Sequence, residues 1–328
     1  MTPSPFAPFL AQQGFVLLDG GLATALEARG HELDDPLWSA RVLLESPEAV
    51  RAVHRAYLEA GADCIATVTY QATFQGFQAR GLSDGEAEAA FGLAVRLAVE
   101  ARDDFWSEPE RRPGRIRPLV AASVGPYGAF LADGSEYRGE YALDMEGLLA
   151  FHRRRWTLLA ASKADVLGCE TIPSALEARA LLTLLDESPG SWAWLSFQCR
   201  DEAHLADGTP LADVAALCAS HPRVAAVGVN CVPPGSVPGL LRSLGAKGVD
   251  GGGVRLATSV PDVPLAAYPN SGEVYDAVTK RWEAGALTPD LGVSAPRWLR
   301  QGARVLGGCC RTTPETIGAM RRALLSRA

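Results

Sequence analysis

Short apolar runs recur along the chain, and amphipathic segments fill the gaps between them. The runs cover residues 15–18, 64–68, 118–123, 166–169, 194–198, 225–229, 265–268 and 304–306. Apolar stretches of this length, bounded by Gly, Pro or Asn, read as buried strands. One gap carries clear helix signals: Ser46 at the N-cap, Pro47 at the first helical position, Glu48 in the first turn and Gly61 closing the end. Its apolar positions Val50, Val53, Tyr57 and Leu58 share one face, while Glu48, Arg51, Arg55 and Glu59 occupy the other. The stretch from Thr171 through Pro173 and Ser174 opens a second helix directly after a strand.

Strands alternating with helices imply parallel connections. Eight such units predict an α/β fold in the form of a single (β/α)8 barrel spanning residues 1–328 as one domain. An open doubly wound sheet is the alternative, but no G-x-G-x-x-G follows the first strand and no Walker-type lysine occurs. Two irregular segments, 102–117 and 232–253 (the latter ending in Gly251-Gly252-Gly253), read as elaborations of that domain. The polar and glycine-rich motifs fall just after the strands: Asp19-Gly20-Gly21, Thr69-Tyr70-Gln71, the Ser123 to Tyr127 turn, Glu170-Thr171, Asn230-Cys231, Tyr268 to Glu273, and Gly307-Gly308-Cys309-Cys310. In a barrel these positions share the C-terminal face, where active sites of this fold sit.

That placement brings three thiols, Cys231, Cys309 and Cys310, to one mouth. Cysteines at converging strand ends can hold one soft metal ion, and three protein ligands leave a position open for substrate. Adjacent cysteines can also be small buried residues or a redox pair, and both readings stay open on spacing alone. Strand alternation puts Glu170 and Cys169 on opposite faces, so Glu170 facing the mouth leaves Cys169 in the helical shell. Cys64, Cys199 and Cys218 read as core. Glu170 is the best substrate-binding carboxylate, with an ion pair to Arg311 as the alternative. Asp19 either shapes a turn or joins the site, and the Gly20 and Gly21 amides can receive a substrate carboxylate. None of the five histidines has the i,i+4 partner of a helical metal site, and His204 reads as a surface-loop residue.

Composition narrows the function further. A length of 328 residues suits one elaborated barrel, and 48% apolar content supports a large core. A net charge of −7 argues against nucleic acid or an anionic membrane as partner. The first ten residues lack the basic and apolar regions of a signal peptide, and no stretch approaches the roughly 20 apolar residues that cross a bilayer. Seven cysteines without framework spacing suggest reduced thiols and a cytoplasmic setting.

The chain resembles the homocysteine S-methyltransferase family, most closely its branch using S-methylmethionine or S-adenosylmethionine. The resemblance runs from about residue 15 to the end. It is carried by Leu18 to Glu27, Ser123 to Tyr137, Cys169-Glu-Thr-Ile-Pro173, Asp207-Gly-Thr-Pro210, Gly228-Val-Asn-Cys231, Tyr268 to Asp276 and Gly307-Gly-Cys-Cys-Arg-Thr-Thr-Pro314. It implies a (β/α)8 barrel whose Zn²⁺ sits at the C-terminal face on Cys231, Cys309 and Cys310. It also implies homocysteine binding by Asp19 and Glu170. Betaine-using relatives carry a tyrosine after the strand-four glutamate; Thr171 stands there in this chain and argues against betaine.

The implied chemistry is methyl transfer from a sulfonium donor to the homocysteine thiol, a step of methionine biosynthesis. Only the thiolate is a good nucleophile, and zinc in an open site removes the thiol proton. Glu170 is expected to pair with the homocysteine ammonium, Gly20 and Gly21 with its carboxylate, and Asn230 and Tyr70 to complete substrate binding. Tyr70, Tyr127 or Tyr268 can offer a cation–π face to the sulfonium. Small-molecule substrates are the expected partners, with a monomer or small homo-oligomer. Selenocysteine or another small thiol as acceptor, or betaine as donor, are the neighbouring readings. A zinc-binding or redox-sensing barrel without transfer is the reading from a different class.

Overall fold

Eight parallel strands close on themselves into a barrel. The computed structural model describes residues 3–31, 39–245, 263–276, 281–283 and 289–326, with 39, 40, 274–276 and 281–283 as backbone. The strands are β1 Val16–Leu17, β2 Cys64–Ala66, β3 Leu119–Val124, β4 Val166–Ile172, β5 Ala193–Phe197, β6 Val224–Asn230, β7 Leu265–Tyr268, β8 Val274–Asp276, β9 Arg281–Glu283 and β10 Ala303–Leu306. All but β8 and β9 form one parallel sheet in the order β1-β10-β7-β6-β5-β4-β3-β2. A parallel bridge from Leu18 to Cys64 joins its two ends, supported by hydrogen bonds from Asp63 N to Leu17 O (2.6 Å) and Asp19 N to Cys64 O (3.0 Å). The fold is therefore the expected (β/α)8 barrel. The antiparallel hairpin β8–β9 is an addition that the apolar pattern did not signal.

Alternation along each strand sorts the side chains into two layers. Val16, Leu18, Cys64, Ala121, Val166, Trp194, Ala266, Tyr268 and Val305 fill the barrel. Leu17, Ile65, Val120, Leu167, Cys169, Leu195, Phe197, Val229 and Leu306 meet the helical shell. Cys169 faces outward, as alternation predicts, and Cys64 and Cys218 are buried core residues. At the N-terminal end of the barrel, Phe6 at the N-cap of the helix Ala7–Gln13 and Phe9 within it join the interior cluster, the Phe6 ring tilted against Trp194 at 5.8 Å. Burying each ring is worth about 1.5–3 kcal/mol, and the pair stoppers that end.

The helix Pro47–Ala60 forms as expected, with Val50, Val53, Tyr57 and Leu58 buried and Gly61 ending it in the left-handed region at φ 111°. Ser46 occupies the N-cap, but its side chain accepts no capping hydrogen bond. The second expected helix runs Ala175–Asp186, capped by the Ser174 hydroxyl at 3.2 Å from Glu177 N. Segment 102–117 is not wholly irregular: the helix Asp84–Ser107 runs through its first third. Within 232–253, a short turn Pro234–Ser236 and the helix Val237–Ser243 are formed, while Gly251-Gly252-Gly253 lies outside the described residues. Among the described residues, no helix is long and apolar enough to cross a membrane.

Two carboxylates below the strands are thoroughly partnered. Asp63, 1% exposed, accepts from Leu17 N (2.9 Å), Gln13 Nε2 (2.7 Å) and the Arg321 guanidinium (3.0 Å). Asp165 accepts from Val120 N and Arg102, both at 2.8 Å. Each ties a strand start to its neighbour and to a shell helix.

Candidate metal centre and active site

Cys231, Cys309 and Cys310 converge at the C-terminal mouth, with their sulfur atoms all within 4.8 Å of one another. The Cys231 and Cys310 sulfurs are 3.5 Å apart. Tetrahedral Zn²⁺ with bonds of about 2.3 Å holds its sulfurs about 3.8 Å apart, so these three thiols fit one such ion without rearrangement. The three thiols also influence one another's ionisation. Hydrogen bonds from Cys309 and Cys310 pull the Cys231 thiol well below its ordinary range. Contact with the Cys231 sulfur first, then burial and the Cys231 charge, pushes Cys309 and Cys310 up.

Backbone contacts latch the ligand loops. Cys309 N donates to Pro269 O (2.8 Å), Gly308 N to Asp19 O (3.0 Å), Cys231 N to Tyr268 O (3.2 Å) and Ser271 N to Cys310 O (3.1 Å). Cys231 and Arg311 both adopt positive φ, at 51° and 63°. Such backbone costs of order 1 kcal/mol or more in non-glycine residues and persists only where the surroundings enforce it. Arg311 is held by Glu273 (2.7 Å), Glu27 (3.5 Å) and, through its amide, Thr24 Oγ1 (2.9 Å). The alternative ion pair between Glu170 and Arg311 is thus absent.

β4 carries a bulge at the mouth. Cys169 pairs with Leu195 and Ile172 with Phe197, so Glu170 and Thr171 together oppose Ser196 alone. Thr171 takes φ 61°, and its amide, freed from the ladder, donates to Asn230 Oδ1 at 2.7 Å. Asn230 Nδ2 returns a bond to Thr171 Oγ1 (2.8 Å) and contacts Cys309 Sγ at 3.7 Å. Asn230 was expected to bind substrate. In this structure its amide bridges Thr171 and the Cys309 sulfur.

The bulge aims Glu170 into the barrel mouth, beside Ser123 and Cys309. Its Oε1 is buried and has no hydrogen-bond partner. Burial, followed by the charge at Cys309, pushes its carboxyl up to about 8. Asp19, 6% exposed, accepts from Ala66 N at 2.8 Å and is also pushed well up, first by burial and then by the Glu170 charge. Gly20 and Gly21 do not form the expected paired cradle. The Gly21 amide donates to Thr312 O (3.1 Å) and Thr312 Oγ1 (3.2 Å). A Cβ on Gly20 would come within 2.6 Å of Thr312 Oγ1, so that glycine serves close packing of two loops.

Of the three candidate tyrosines, Tyr70 hydrogen-bonds Thr171 and feels the charges of Cys231 and Cys309, while Tyr268 feels that of Cys309. Tyr127 packs among Phe130, Tyr141 and Phe151. The Tyr268 hydroxyl is committed inside the barrel to Trp194 Nε1 (2.9 Å) and Ser196. Tyr137, which sequence reasoning did not select, stands beside Cys231 and Cys310, and Glu136 beside Tyr70 and Tyr137. The signal was present only as the Glu136-Tyr137 pair in the loop after β3. His204 is a surface-loop residue paired with Asp201 at 2.9 Å.

Comparison with known proteins places this arrangement. Residues 16–324 match the family model described as homocysteine S-methyltransferase. The chain is 48% identical over 314 residues to homocysteine S-methyltransferase YbgG of Bacillus subtilis (strain 168), covering 96% of each chain. It is 47% identical over 319 residues to the Escherichia coli (strain K12) homocysteine S-methyltransferase, covering 97% and 98%. A selenocysteine Se-methyltransferase of Brassica oleracea var. italica is 43% identical over 327 residues, covering 96% of this chain and 90% of that one. The metallated form of the homocysteine methyltransferase MmuM from Escherichia coli superposes with a TM-score of 0.83 at 44% identity, covering 99% of this chain and all of that one.

Proposed function

We propose that this chain, which belongs to the homocysteine S-methyltransferase family, transfers a methyl group from a sulfonium donor to the thiol of L-homocysteine and forms methionine in a zinc-dependent reaction. Family membership makes it a methyltransferase. The donor, the metal and the roles of individual residues are the proposal. One observation carries it: a buried carboxylate oxygen without a partner, on Glu170, faces three convergent thiols across one mouth.

Cys231, Cys309 and Cys310 would hold Zn²⁺, which supplies Lewis-acid chemistry that strips the acceptor thiol of its proton and keeps its sulfur nucleophilic. Glu170 receives the homocysteine ammonium and Asp19 adds a second negative charge beside it. The two side chains thereby fix where the acceptor sulfur points. Asn230 holds the Thr171 bulge, and so Glu170, in register with Cys309. Tyr70 and Tyr137 line the approach to the thiols and present aromatic faces to a cationic donor. The donor methyl must lie in line with the acceptor sulfur at about 3–3.5 Å. Residues 1–328 work as one homocysteine-binding barrel, with reduced thiols as in the cytoplasm.

Selenocysteine is a second acceptor, favoured by the 43% identity to a selenocysteine Se-methyltransferase. Its selenol ionises more readily than a thiol and would enter the same position. The test is methionine formation from homocysteine with S-methylmethionine, S-adenosylmethionine and betaine in parallel, each with and without chelator. Chelator-sensitive turnover with a sulfonium donor is the expected result. Full activity in metal-free protein, or turnover with betaine alone, would overturn the proposal.

A further inference from the structure

Glu136 sits in the short turn Ser135–Tyr137, within the loop that follows β3. That loop is braced from below by buried polar groups. The Arg155 guanidinium donates to Gly125 O and contacts His152 Nδ1 at 2.8 Å. Glu177 joins His152 (2.7 Å), Tyr127 N (2.7 Å) and the Tyr141 hydroxyl (2.6 Å). Gly128 lets the turn close, because a Cβ there would stand 2.4 Å from Glu136 N. Glu136 is thus fixed in place by the fold.

Among the described residues the Glu136 carboxylate makes no ion pair, and the charge of Arg138 acts on it only from a distance. Oε2 is buried without a hydrogen-bond partner. Arg138 spends its hydrogen bonds on Asp133 O (3.2 Å) and Ser135 Oγ (3.3 Å), and its charge opposes burial at Glu136 without outweighing it. Burial pushes the Glu136 carboxyl up to about 7. A buried charge without a partner is costly, and chains keep one where a ligand completes it. Glu136 precedes Tyr137, whose hydroxyl hydrogen-bonds Cys231, and its charge acts on both Tyr137 and Tyr70. With the acceptor ammonium assigned to Glu170 and Asp19, the carboxylate with an unpartnered buried oxygen next to Tyr137 falls to the second substrate.

We infer that Glu136 is a donor-binding residue whose carboxylate pairs with the positive charge of a sulfonium donor and selects donors of net positive charge. Betaine has no net charge, and its own carboxylate would meet Glu136 as a second anion. The inference rests on the methyl-transfer reading above and names its donor subsite.

The experiment compares wild type, Glu136→Gln and Glu136→Asp as zinc-loaded protein. The Gln variant should raise the KM for S-methylmethionine about tenfold or more, leaving the homocysteine KM and the zinc content within twofold of wild type. Calorimetric titration of metal-free protein with S-methylmethionine should weaken by a similar factor. Glu136→Asp, which keeps the charge, should fall between the two. Unchanged donor KM and binding in Glu136→Gln would overturn the inference. So would a matching rise in homocysteine KM, since Glu136 would then serve the acceptor. Both outcomes leave methyl transfer itself intact. A wild-type protein that uses no sulfonium donor overturns the underlying function as well.

Discussion

Asp63 and Glu170 are both acidic groups shielded by the barrel, one below the strands and one above them. Burial raises both carboxyls. At Asp63 the opposing pull comes from Arg321, the Leu17 amide, Arg115 and Gln13. At Glu170 it comes from Ser123 alone, and one oxygen is left unpaired. The N-terminal end of the barrel spends its carboxylates on architecture, while the mouth holds its own in reserve. Orphaned acidic oxygens recur there, at Glu170 and Glu136, beside a thiol cluster whose spacing fits a metal ion. The mouth gathers acidic groups that a cationic ligand would draw into their charged form.

The sharpest break of that contrast is at the thiols. Cys310→Ala should abolish zinc retention and cut turnover by more than about a hundredfold, beyond what outer-shell partners cost, as read by metal content and methionine formation. Asp63→Asn should do the reverse: it strands the buried Arg321 charge and costs about 3–5 kcal/mol of stability. Thermal melts would show the loss, while activity per folded molecule should hold. Asn230→Ala should lower zinc affinity about 10–100-fold through the Cys309 contact and the loosened bulge, measured by competition with a chromogenic chelator.

Glu170→Gln gives the smallest effect on the fold, and its sign follows from the protons. The folded carboxyl titrates near 8 and the unfolded one near 4.5. Its contribution is complete below about 4.5 and is lost as the pH rises through 8. Melting temperatures of metal-free, substrate-free wild type should therefore decline from pH 5 to 8 relative to Glu170→Gln. Parallel curves would mean that Glu170 has a cationic partner after all. In the same variant, homocysteine KM should rise by about tenfold or more, as expected for losing a charged hydrogen bond of roughly 1.5–3 kcal/mol.

The barrel was legible because strand burial is written locally. Ala225 to Val229 or Leu265 to Tyr268 can be read with no knowledge of their neighbours. The thiols were legible for the same reason, since each follows such a run. What escaped depends on the closed ring. The Asn230–Thr171 clamp spans from β6 to β4 over the small Ser196, and no local pattern announces it. Likewise, the Gly21 amide looks free in sequence until Thr312, from the far end of the chain, takes it. Glu136 resembles any loop glutamate until Arg138 is seen to spend its hydrogen bonds on Asp133 and Ser135. Ser46 shows the opposite case: a strong local signal at the right position, with no hydrogen bond made.

Phe6 and Phe9 seal one end of the barrel, so both substrates use the same doorway. In the proposed arrangement the acceptor seats deep, at Glu170, and the donor rests on the loop that carries Glu136. A donor arriving first would stand in the acceptor's path. That arrangement would have the acceptor enter before the donor and the spent donor leave ahead of methionine. The barrel would handle its cargo as a last-in, first-out stack.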